Sequence, residues 1–182
     1  MTKALLIVDI QNDYFPGGKM ELEGSEAASL RAGELLAAFR GRGLPIIHVH
    51  HVSVRPGATF FLPDTEGVQI HPNVAPAGQE IVLQKHFPNS FRDTRLLEHL
   101  RQTGVQELVI AGMMTHMCID ATTRAAADLG FPCFLAHDAC ATRALTFGAT
   151  QVSAEHVHCS FLSDLSGTYA TVRPAKELLG SL

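Results

Sequence analysis

Short apolar runs rich in β-branched residues recur along the chain, at positions 4–8, 45–50, 80–83, 107–111 and 131–136. Runs that are apolar at nearly every position suit strands covered on both faces, as in a parallel sheet. The stretches between them change to a helical period. Positions 25–40 place Ala28, Leu35, Leu36 and Phe39 on one side before a Gly41-Arg42-Gly43 stop. Positions 94–101 carry Leu96, Leu97 and Leu100 and run out near Gly104, and the Ala-rich stretch 118–129 ends at Gly130. Glycine just beyond a periodic segment is a helix stop signal. A fourth helix is expected over 149–162, a short sixth strand over 169–172 and a helical turn over 174–179. The β-α-β alternation predicts an α/β fold: a three-layer α-β-α sandwich around a mainly parallel, about six-stranded sheet, in a single domain over 1–182. Positions 52–78 form an irregular stretch punctuated by Pro56, Pro63, Pro72 and Pro76. A loop that long inside a compact domain is expected to bind or cover a ligand.

Composition narrows the function classes. The 182 residues are 46% hydrophobic with a net charge of −4, and no segment concentrates positive charge. Neither nucleic acid nor an anionic membrane is an expected partner. No apolar run approaches the roughly 18 residues of a spanning helix, and Asp9 interrupts the first run too early for a signal-peptide core. The reading is a soluble cytoplasmic protein. Its four cysteines, Cys118, Cys133, Cys140 and Cys159, lack C-x-x-C spacing and are expected as thiols.

Ligands of open α/β sheets bind beyond the carboxyl ends of the strands, so reactive side chains just after strand runs are the candidates. Asp9 follows the first run, Lys85 the third, and Gly112-Met113-Met114-Thr115-His116-Met117-Cys118 the fourth, leading into the Ala-rich helix. A cysteine at a helix start near a lysine ammonium has its thiolate favoured by the helix dipole and the charge. A nearby aspartate could take the thiol proton, with Lys85 holding that aspartate ionised and oriented. The thiolate would then attack an electron-poor carbon while backbone N–H groups hold the developing oxyanion.

At these residues the chain resembles the isochorismatase-like cysteine hydrolase superfamily, which includes nicotinamidases and N-carbamoylsarcosine amidohydrolases. The matching pieces are Leu6-Ile7-Val8-Asp9-Ile10-Gln11-Asn12-Asp13, Lys85-His86-Phe87-Pro88-Asn89-Ser90-Phe91, Val109 through Cys118, and Ala121-Thr122-Thr123-Arg124-Ala125-Ala126, with His137-Asp138-Ala139 beyond the fifth run. The resemblance covers about residues 4 to 140 in order. It implies Asp9 as general base, Lys85 as its electrostatic partner and Cys118 as nucleophile. It further implies a cis peptide at Met113–Met114 and an oxyanion hole from the N–H groups of Met114 and Cys118. Gln11, Asn12, Phe15, His86 and His116 are expected near a substrate pocket by adjacency. A dimer or tetramer of identical chains is implied as well.

One departure bears on cofactors. Where nicotinamidases carry an Asp-x-His metal pair, this chain has His51-Val52-Ser53. No cofactor and no obligatory metal are expected, while a dispensable ion near His50, His51 or His71 stays open. Members that cleave the vinyl ether of isochorismate can lack the cysteine, so Cys118 favours attack on a C–N bond of a small amide or ureido substrate through a thioester. The alternatives are ether hydrolysis with Asp9 as acid, and a fold descendant that binds a small ligand without turning it over. Asp120 and Arg124, four residues apart, are expected to form a surface or inter-subunit ion pair.

Overall fold

A computed structural model describes residues 2–182. In chain order the elements are β1 (Lys3–Val8), α1 (Ser25–Gly41), β2 (Ile46–His51), β3 (Ile81–Lys85), α2 (Leu96–Gln102) and β4 (Glu107–Met113). After them come α3 (Asp120–Asp128), β5 (Cys133–Ala141), β6 (Leu145–Phe147), β7 (Thr150–Val152), α4 (Ala154–Leu165), β8 (Ala170–Arg173) and α5 (Ala175–Leu179). Six strands form one sheet in the order β3-β2-β1-β4-β5-β8, every neighbouring pair parallel. The chain builds outward from β1 toward β3, then returns to the other side of β1 with β4. That reversal opens a crevice at the carboxyl ends of β1 and β4, where α/β proteins bind ligands.

Alternation along the strands feeds two apolar layers. Leu5, Ile7, Val109 and Ala111 pack beneath Ala32, Leu35 and Phe39 of α1 and Leu178 of α5. Ala4, Leu6, Val8, Leu108 and Ile110 face the other way, onto Leu96 and Leu100 of α2, Ala126 of α3 and Leu165 of α4. Both faces of the central strands are therefore dry, which is why these runs are continuously apolar. Among the described residues, no helix is long and apolar enough to cross a membrane.

The structure moves several boundaries. β3 extends to Lys85 and β4 to Met113, so Lys85 lies on its strand end rather than after it, while Asp9 and Cys118 follow theirs. β5 continues through His137-Asp138-Ala139 to Ala141, because its pairing with β4 shifts register between Ile110 and Gly112 and resumes at Cys140 and Ala141. The helix expected over 149–162 begins only at Ala154, where the Ser153 hydroxyl accepts from the His156 N–H. Its supposed first turn is instead the outgoing strand of the β6–β7 hairpin. The Ala-rich helix does not start at Cys118: residues Thr115–Ile119 form a π-helical turn, and α3 follows.

Candidate active site

Asp9 is the residue immediately after β1. Strict alternation would send its side chain to the α1 face with Leu5 and Ile7. Its backbone is left-handed, with φ of 53°, and this interrupts the alternation where the strand ends. Such a conformation is uncommon for a non-glycine residue, and aspartate is among those that tolerate it. Lys85 closes β3 in register with His51 of β2, so both point to the same face. Cys118 approaches from β4 through the cis Met113–Met114 peptide and the π-helical turn. Gly112 makes that approach possible. Its φ is 140°, and a Cβ there would lie 1.9 Å from the Val8 carbonyl oxygen on β1.

These elements converge on the Lys85 ammonium. Nζ lies 2.6 Å from Asp9 Oδ2, 3.2 Å from His51 Nδ1 and 3.2 Å from Cys118 Sγ. An ammonium has three N–H donors, and here three acceptors surround it. Asp9, Lys85 and Cys118 are all buried. Burial raises the Asp9 pKa above the ordinary carboxylate value, against the opposing pull of Lys85. Burial also works against the Lys85 charge, but Asp9 and Cys118 outweigh it and hold the pKa up. The Cys118 thiol is pushed well up, first by burial and then by Asp9, with Lys85 only partly compensating. His51 is pushed down to about 3, chiefly by burial and then by Lys85. A neutral His51 accepts the Lys85 proton at Nδ1, leaving its N–H at Nε2. The resting cluster is thus a carboxylate, an ammonium and a thiol with no net charge.

Cys118 faces a cavity of about 100 Å³. His86 lines it as adjacency suggested, Met114 of the implied oxyanion hole lines it too, and Met113 is fully buried. The other residues expected there lie elsewhere. The Gln11 amide is buried beneath the cavity, accepting from the His51 N–H at 2.7 Å and donating to the carbonyls of His51 and Val68. Asn12 donates to the Glu66 carbonyl, Phe15 stacks on His71 with ring centroids 3.6 Å apart, and His116 turns away to Thr142 and Phe161. Gln11 therefore supports the cavity residue His51, whereas Asn12, Phe15 and His116 are not among the lining residues.

Sequence reasoning missed His51 at the end of β2 and Tyr14 as cavity residues, whereas Ser53 and Arg55 come from the irregular stretch expected to bind or cover a ligand. The register of β2 on β3 would have revealed His51. Phe60 and Phe61, within the stretch 52–78 expected to bind or cover a ligand, do line the cavity. Asp13 fixes that cover: its carboxylate accepts from the Phe61 N–H at 2.6 Å and the Lys19 N–H at 3.1 Å. Arg124 pairs with Asp120, as its spacing suggested, and also with Asp164 of α4, away from the cavity.

The same geometry bears on a metal. Among the described residues, Asp9, His51 and Cys118 are the one group whose ligand atoms lie within 4.8 Å of one another. Lys85 Nζ already touches all three, so a divalent cation would have to displace a buried ammonium. Ser53 replaces a second imidazole near the end of β2, and His71 is engaged with Phe15 and Asn73. These donors do not fit a metal centre of the nicotinamidase kind.

Comparison with known proteins agrees with this architecture. The isochorismatase domain family matches residues 3–157. An uncharacterised isochorismatase family protein of Bacillus subtilis, YddQ, is 51% identical over 98% of this chain and 99% of its own length. A streptothricin hydrolase of Streptomyces noursei is 36% identical over 77% of this chain, which corresponds to 50% of that enzyme. Among solved structures, one from Oleispira antarctica assigned to the isochorismatase hydrolases superposes with a TM-score of 0.94 at 51% identity, covering 98% of this chain and 96% of that one. Fold, strand-end chemistry and relatives agree: the chain belongs to the isochorismatase-like hydrolase family.

Proposed function

We propose that this protein is a cysteine-dependent hydrolase that cleaves a C–N bond of a small amide or ureido substrate through a thioester. The carrying observation is the buried Lys85 ammonium held between Asp9 and Cys118 at 2.6 and 3.2 Å, with Cys118 facing the cavity. A free thiolate beside the Asp9 carboxylate would leave an uncompensated negative charge in a dry site, which explains why the thiol resists ionisation at rest. Moving the proton from Sγ to Asp9 avoids that penalty, since the cluster stays neutral overall. Asp9 suits the acceptor role because neither of its oxygens is otherwise hydrogen-bonded within the protein.

In the reaction, Sγ attacks the substrate carbonyl carbon as its proton passes to Asp9, and the carbonyl electron pair moves onto oxygen. The backbone N–H groups of Met114 and Cys118 are assigned to that oxyanion. Collapse breaks the C–N bond, and Asp9 returns the proton to the departing amine. Water then attacks the thioester with Asp9 as base, releasing the acid and restoring the thiol. Lys85 stays protonated throughout and keeps the carboxylate and sulfur within reach of each other.

The test is ammonia release from a panel of small carboxamides and ureas, with intact-protein mass spectrometry to trap the acyl adduct on Cys118. Cys118→Ala and Asp9→Asn are each expected to lose at least about a thousandfold in kcat/KM while keeping a native circular dichroism spectrum. Undiminished turnover by Cys118→Ala refutes the thioester route.

A further inference from the structure

We infer that Asp13 is a positioning residue that limits the size of the molecule reaching Cys118: its carboxylate latches Phe61, and with it the strap 54–67, across the cavity. The reaction scheme above gives Asp13 no part, yet the residue is buried and both of its carboxylate oxygens accept hydrogen bonds. Between Val54 and Gly67, Phe61 is the one buried residue. Both of its backbone polar groups are held. The N–H donates to Asp13 Oδ2 at 2.6 Å, and the carbonyl accepts from the Ser53 N–H at 2.8 Å. Phe61 reaches Asp13 in a left-handed backbone conformation, with φ of 55°, which is uncommon for a bulky side chain. The second carboxylate oxygen accepts from the Lys19 N–H at 3.1 Å and so fixes the orientation of the latch. Gly67 leaves room for it, because a Cβ at that position would overlap the Asp13 carboxylate.

The strap is a partition between two hollows. Phe60 and Phe61 line the cavity of about 100 Å³ that Cys118 faces. Thr59, Leu62 and Thr65 line a separate hollow of about 430 Å³, where Asp13 and Gly67 also lie. Among the described residues none lines both, so the latch sits at the seam and release of Phe61 would join the two spaces. The root of the strap is tied down independently, by Asn12 donating to the Glu66 carbonyl and Gln11 donating to the Val68 carbonyl. Opening is thereby confined to the part that Asp13 controls.

A molecule that fits the closed cavity reaches the thiol with the strap in place, whereas a bulkier one has to wait for the Phe61 contacts to break. For a substrate the limit falls on the acyl group, and that step alone rests on the hydrolase reading above. The barrier itself does not.

The experiment follows alkylation of Cys118 by iodoacetamide and by N-benzyliodoacetamide, which share a reactive carbon and differ in bulk. Rates are read by peptide mapping in the parent, Asp13→Asn and Gly67→Ala, with exposed Cys159 as the internal reference. Thiol ionisation affects both reagents alike, so the ratio of their rates reports access. Asparagine offers one acceptor oxygen where two N–H groups arrive, and alanine at position 67 displaces the carboxylate without removing it. In the parent, Cys118 should prefer the small reagent about tenfold or more beyond the preference of Cys159, and each variant should bring that excess below about threefold with little change in the iodoacetamide rate. Equal preferences at the two cysteines of the parent, or an excess that persists in a variant with a native circular dichroism spectrum, overturn the latch and leave the hydrolase reading standing. An equal rise with both reagents in the variants overturns it as well, since the site has then loosened as a whole. Loss of the excess in the variants, with no turnover of small carboxamides or ureas by the parent, supports the latch and overturns the hydrolase reading. If one variant does not fold the other decides, and the preference of the parent tests the barrier without either.

Discussion

Replacing Lys85 by methionine keeps the aliphatic stem and deletes the positive charge that faces Asp9. Both side chains are fully buried and 2.6 Å apart, so the variant must bury a lone carboxylate or protonate it. Protonation is far cheaper than an isolated buried ion, and Asp9, already raised by burial, moves further up once the Lys85 charge no longer opposes it. Removing one partner of a buried pair costs about 3–5 kcal/mol, a large share of a stability of about 5–15 kcal/mol. The pH dependence identifies the cause. A carboxyl whose folded pKa lies above its unfolded value contributes its stability at low pH and loses it as pH rises through the folded pKa. The deficit of Lys85→Met relative to the parent should therefore grow as pH rises from 5 to 7. His51 adds to the trend. Its pKa of about 3 costs the parent stability as pH falls below the ordinary histidine value, and loss of Lys85 relieves part of that cost at low pH. The chain has no tryptophan, so urea unfolding is best followed by circular dichroism. Lys85→Met combined with Asp9→Asn removes both charges and should recover more than half of the loss measured at pH 7. A deficit below about 1 kcal/mol at pH 8, or one independent of pH, refutes the reasoning.

Other consequences can be tested separately. Gly112→Ala places a methyl group 1.9 Å from the Val8 oxygen at a φ of 140°, and should cost at least about 4 kcal/mol; a near-parental melting temperature contradicts that packing. Gln11→Ala strands the His51 N–H and the carbonyls of His51 and Val68, for a loss of about 3 kcal/mol in urea unfolding; a loss under about 1 kcal/mol means water substitutes for the amide. Brief iodoacetamide treatment at neutral pH without substrate should label exposed Cys159 first and Cys118 slowly, sparing Cys133 and Cys140, whose burial pushes them up to about 12. Peptide mapping showing Cys118 ahead of Cys159 means that the resting site holds a preformed thiolate.

The sheet was legible because its central strands are apolar on both faces, leaving no competing period over residues 4–8 or 107–111. The end of β5 was not, since the partly exposed His137 and Asp138 resemble a turn and only pairing with β4 keeps that stretch extended. The β6–β7 hairpin escaped because Phe147 is 91% exposed, so its strands have no buried face to impose alternation. Asp9, Lys85 and Cys118 stood out because each ends or follows an apolar run. The cavity walls depend on strand register and loop return, which local sequence does not encode: His51 is placed by Lys85 across two strands, and Phe61 by the distant Asp13 carboxylate.

The strand order has a further consequence for how the protein matures. Asp9 and Cys118 are carried by β1 and by the turn after β4, neighbours that need only each other to bring acid and thiol together. Lys85 arrives on β3, at the sheet edge, and reaches them only after β2 has docked between. A partly assembled sheet would therefore hold the nucleophile and its proton acceptor without the cation that balances them. The pH profile of Cys118 toward a small electrophile is therefore expected to differ between the complete sheet and one whose edge strand is displaced.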